Sequence, residues 1–199
     1  EAVDGEHDAE DLARFIQEVA YLVDVIDPED VLRDINEDRA VSGFPEARAI
    51  DQIEAELAER KRYYRSAIKD ALDRLPPMTL IQVMTETVDG VTASGEDHAP
   101  ELIDELVDSY EVETQGFIQK EAENVHKLIK AARDSASAGE AAVKPYVDKL
   151  DAVARNWDKV AQPIQLSAKA RGIDHGASRD LAYEIRSLAI DLFNTHDML

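Results

Sequence analysis

Apolar side chains recur at three- and four-residue steps along nearly the whole chain, and no segment alternates as a strand would. The clearest case is residues 8–26. There Leu12, Phe15, Ile16, Val19, Leu22, Val23 and Ile26 share one stripe. Repeated from end to end, this period limits the chain to helices packed on helices. The expected fold is all-α: a multi-helix bundle with two long helices of about 30 residues and a kinked C-terminal helical corner.

Prolines and glycines mark where the helices begin and stop. Asp27 is a candidate N-cap with Pro28 in the first turn, opening a short second helix that "VSGFP" breaks. Pro45 is expected to open a long helix over 45–75, closed by Pro76 and Pro77. A further helix covers 77–89. "DGVTASGEDHAP", near 89–99, reads as a flexible loop. The second long helix is expected over 100–134, with Gly116 allowing a bend or a close contact. The two long helices are expected to pack together and bury Leu57, Tyr64, Leu106 and Phe117.

A helix over 139–162 follows. "NWDKVAQPIQLSAKARGIDH" then places Pro163 inside an apolar helical pattern, where a helix should kink or restart. Gly172 suits a left-handed C-terminal position, and Ser178 a cap for a last helix over 178–196. Trp157, the only tryptophan, shares a face with Leu150, Ala154 and Val160 and reads as a packing anchor. Residues 1–199 together read as one all-α domain. The start at Glu1 without Met, and the end inside an apolar pattern, suggest a piece of a longer protein.

Charge removes several functions. The formal net charge is -21, and 19 acidic against 5 basic side chains fall within the first 60 residues. Nucleic acids and anionic membranes are bound by neutralising phosphates with Lys and Arg, so neither is an expected partner. No apolar run is long enough to cross a bilayer. There is no cysteine, hence no disulfide and no thiolate metal site. The cytoplasm is the default location.

The sequence holds no complete catalytic or metal-binding set. Glu123 and His126 form one E-x-x-H, a quarter of a di-iron set. Asp34, Asn36 and Asp38 start like a calcium loop, but Arg39 and Pro45 stand where Gly and Glu are needed. His175 lies near Ser178 and Asp174 in a helix-joining corner, where capping is the expected role. The basic run "ERKRYYRSAIK" has its cations spaced for helix-surface pairs, Glu56 with Arg60 and Asp70 with Arg74. No catalytic residue, cofactor or metal ligand is therefore assigned.

The tail, about Asn156 to Asp197, "NWDKVAQPIQLSAKARGIDHGASRDLAYEIRSLAIDLFNTHD", resembles the region outside the J domain in bacterial DnaJ-like co-chaperone proteins. The resemblance implies an accessory helical region contacting Hsp70 or a client protein. It carries over no functional residue, because no histidine here is followed by proline as the J-domain tripeptide requires.

The expected function is a non-catalytic protein-interaction domain of a bacterial cytoplasmic protein. One alternative is a ligand-binding bundle in which Tyr63, Arg65, His126 and Trp157 converge on one pocket. Another is a structural or sensory bundle whose long helices support a homodimer.

Overall fold

In the computed structural model, residues 4–196 are described. They form seven α-helices and no strand: α1 Asp4–Val25, α2 Pro28–Val41, α3 Ile50–Leu72, α4 Pro77–Thr92, α5 Glu101–Ser135, α6 Glu140–Ala170 and α7 Gly176–His196. A 3-10 turn, Ala136–Ala138, links α5 to α6. Backbone contacts divide the chain into two compact units. Unit one holds residues up to Val91 and Ala99–Leu106; unit two holds Thr92–His98 and Val107 onward. The periodicity carries no mark of this division.

In unit one, α1 is anchored by Ala9, Ala13, Ile16 and Ala20, all buried. Val83, Met84 and Val88 of α4 and Leu102, Ile103 and Leu106 of α5 complete most of the core. The Gln17 amide donates to the carbonyls of Glu86 at 2.9 Å and Thr87 at 3.3 Å. Gly90 makes room for it, since a Cβ there would lie 2.3 Å from Gln17 Nε2. Asp27 caps α2 as the sequence implies, accepting from the Glu29 amide at 2.7 Å, with Pro28 first in the helix. α2 pairs with α3 yet buries no residue completely.

The first expected long helix is shorter than its apolar pattern. α3 has 23 residues and starts at Ile50, not Pro45. Residues 44–49 are instead held on α2, where the Asn36 side chain bonds both polar groups of the Ala47 backbone at 2.7 and 3.0 Å. The expected burial also changes. Leu106 is buried and Leu57 and Phe117 are half-buried, whereas Tyr64 is 41% exposed. The two longest helices are α5, with 35 residues, and α6, with 31.

Unit two is built on α5, α6 and α7. Trp157 is 2% exposed, as expected of an anchor, among Val160, Ala161 and Ile164. The helix does not stop at Pro163; α6 runs through it to Ala170. Burial of this stretch outweighs the roughly 3 kcal/mol that an interior proline costs. The Tyr110 hydroxyl donates to the Val160 carbonyl at 2.9 Å and so ties this turn to α5, whereas the carbonyl that loses its helical donor to Pro163 is that of Lys159. Burial pushes the Tyr110 phenol up to about 12, so it keeps that proton.

Gly172 ends α6 with φ +72°, and the Ile173 amide reaches back to the Ala168 carbonyl at 2.9 Å, as in a Schellman motif. Ser178 is not the N-cap of α7, which begins at Gly176 and contains Ser178 in its first turn. A Cβ at Gly116 would meet nothing within 4 Å, so no close contact requires that glycine.

Candidate interaction surface

The corner that carries His175, Asp174 and Ser178 is a hydrogen-bond lock. Ser178 Oγ receives the Gln165 amide at 2.8 Å and the Trp157 indole N–H at 3.3 Å, and lies 2.8 Å from His175 Nδ1. A hydroxyl has two lone pairs and one proton. With both lone pairs taken, Ser178 donates to Nδ1, which fixes a neutral ring protonated on Nε2. Burial lowers the His175 pKa and keeps it neutral, opposed by the Glu111 carboxylate. Asp174 pairs with Arg179 at 3.5 Å rather than with the imidazole, so the three residues do not form a nucleophile–base–acid relay.

His126 pairs with Glu184 of α7 at 2.8 Å, and its Nδ1 lies 2.6 Å from the Ala122 carbonyl. Next to it Arg133 grips Asp191 at 2.7 Å. Among the described residues no group of three or more His, Asp or Glu is placed to hold a metal ion. Asn36 of the calcium-like segment lies within α2, its side chain spent on Ala47.

Tyr63 and Arg65 belong to unit one, His126 and Trp157 to unit two, and within each unit the two share no site. Arg65 lines a cleft of unit one, His126 a cleft of unit two, Trp157 lies in a core and Tyr63 is exposed. The cleft of unit one, about 380 Å³, lies between α1, α3 and the first turn of α5. Lys61, Arg62 and Arg65 face it, as do Asp24, Glu101 and Glu105. Arg65 is joined to Glu105 at 2.8 Å, and Arg62 donates to the Ala58 carbonyl at 3.4 Å. Arg60 pairs with Glu56 at 3.0 Å as expected, whereas the next turn is bridged by Lys69 and Asp73 at 3.3 Å rather than by Asp70 and Arg74.

What remains uncovered is apolar. The α1 stripe is wider than its packing. Its alanine-rich half is buried, but Phe15 is 57% exposed, Leu22 67% and Val25 78%, with Val19 half-buried between them. Ile26 is exposed just past the helix end. Asp8, Asp11 and Glu18 flank this stripe in the open. The sequence reading merged the two halves, because periodicity reports an apolar face and not what covers it. Lys169, whose place in the last turn of α6 suits the helix dipole, also pins residues 94–96: it donates to the Ser94 carbonyl at 3.0 Å and to the Glu96 carboxylate, whose pKa it lowers.

No family model, curated protein or solved structure matches the chain. No helix among the described residues is long and apolar enough to cross a membrane.

Proposed function

We propose that this chain is a non-catalytic helical protein-interaction module whose contact surface is the outer stripe of α1. One observation carries the reading: Phe15, Leu22 and Val25 are more than half exposed on a helix whose opposite face is fully packed. Large apolar side chains grouped in water mark binding surfaces more often than chance exposure. The resemblance of residues 156–197 to J-domain-associated segments supports a bacterial cytoplasmic co-chaperone setting, with Hsp70 or a client protein as the partner. The test is a paired pull-down from bacterial lysate with the protein and its Leu22→Ser variant. Proteins retained by the first and lost by the second, Hsp70 among them, support the reading. Identical retention by both defeats it.

A second reading, a ligand-binding bundle, is favoured by the cleft of about 380 Å³ in unit one. A thermal-shift screen of metabolites and nucleotides tests it, and no stabilising compound would count against it.

A further inference from the structure

We infer that the α1 stripe seats a cationic amphipathic helix of another protein. This rests on the interaction reading and adds the chemistry of the partner. The anchors Phe15, Val19, Leu22 and Ile26 follow one another at steps of four, three and four residues. Ile26 extends the apolar surface just past the helix end, and at 1.5 Å per residue the helical anchors Phe15 to Leu22 span roughly 10 Å, two turns. That is the anchor spacing by which one amphipathic helix lies along another. The stripe is presented rigidly, because Ala9, Ala13, Ile16 and Ala20 fix the other side of α1 in the core.

Charge selects the occupant. The first 60 residues hold 19 acids against 5 bases, and Asp8, Asp11 and Glu18 stand exposed beside the anchors. Of the nearby cations, Arg14 lies 3.7 Å from Asp11, and Lys61, Arg62 and Arg65 face the cleft beside Val23 and Asp24 together with Glu101 and Glu105; the acids of the unit outnumber them. α2 adds Glu29, Asp30, Asp34, Glu37 and Asp38 to the same unit. A second copy would bring this acidity against itself, and an anionic bilayer would be repelled in the same way. A helix with an apolar stripe flanked by Lys or Arg meets both demands. Its apolar residues cover Phe15 and Leu22, and its cations meet the carboxylates, which speeds association and makes it sensitive to salt.

The test uses fluorescence anisotropy with three labelled peptides: a Leu/Lys amphipathic helix, its Leu/Glu counterpart, and a Lys/Ser peptide of equal positive charge. The Leu/Lys helix should bind best, and more weakly as salt rises. Leu22→Ser and Phe15→Ser should each weaken it about tenfold, the usual effect of losing one apolar anchor. Val112→Ser, an exposed apolar residue of α5, should change nothing. Thermal melts confirm folding, since both altered side chains face water. Equal binding of the Leu/Glu helix overturns the cationic partner and leaves the interaction reading standing. Equal binding of the Lys/Ser peptide, or no effect of the α1 variants, overturns the stripe as the seat. Binding of none of the peptides overturns the helical cationic occupant, while the paired pull-down still judges the interaction reading separately.

Discussion

Tyr110→Phe removes one oxygen from a side chain that is 3% exposed and leaves the ring in place. The loss is the bond to the Val160 carbonyl at 2.9 Å, three residues before Pro163. The Val160 carbonyl keeps its helical donor, the Ile164 amide, so the cost is that of one net hydrogen bond, about 0.5–1.5 kcal/mol. For a chain of this size each kcal/mol lowers the melting temperature by about 2–4 °C. The cost should not depend on the proline. Pro163→Ala restores a backbone donor to the Lys159 carbonyl, four residues earlier, and leaves the Val160 carbonyl as it was. In that background Tyr110→Phe should cost the same to within about 0.5 kcal/mol, as expected of two bonds to different acceptors. Urea unfolding followed by the fluorescence of Trp157, the only tryptophan and part of unit two, measures all four proteins. Costs that differ by more than about 1 kcal/mol between the two backgrounds would refute this separation of the two bonds.

Trp157→Ala should destabilise by about 3–5 kcal/mol, as large buried truncations do, and Pro163→Ala far less; chemical denaturation showing Trp157→Ala as stable as its parent would defeat the anchor role. The folded His175 pKa lies below its ordinary 6.5, so the unfolded chain takes up the proton first as pH falls. Its contribution is present above about 6.5 and lost as pH falls through the folded value; thermal melts from neutral to mildly acid pH should slope less in His175→Gln than in the parent. Melting temperature should rise from dilute buffer to moderate salt, because screening relieves repulsion among the acids of residues 1–60; a flat or falling curve in differential scanning fluorimetry excludes that self-repulsion.

Helices were legible wherever a local rule acts alone. Asp27 before Pro28 announces a cap, Gly172 a left-handed corner, and Trp157 among Leu150, Ala154 and Val160 a buried face. Legibility failed where distant residues decide. Pro163 marks a break by local sterics, but burial around it lets the helix pass. Pro45 fits a first helical turn, yet Asn36 of α2 holds residue 47 out of helix. Ser178 has the chemistry of a cap and spends its hydroxyl on three side chains instead. The α1 stripe shows the same limit at the candidate site. Sequence identifies Phe15, Ile16 and Leu22 as one apolar face, but only packing separates the buried isoleucine from the two side chains left in water.

The turn after α4 has a consequence for how the protein is made. Ala93, Ser94 and Gly95 all have positive φ, a conformation that disfavours the first two. The backbone amides of Glu96 and Asp97 both close on the Thr92 carbonyl, and Lys169 holds the turn from 73 and 75 positions downstream. A chain leaving the ribosome therefore presents this turn long before its clamp exists. The residues of unit one have all been made once Leu106 is added, whereas residues 92–98 wait for Lys169 of α6. Stalled nascent chains ending before and after Lys169 should differ in protease sensitivity at this turn, and equal cleavage would mean that it sets without the lysine. On this order of events, the strained link between the two units is the last part of its neighbourhood to become fixed.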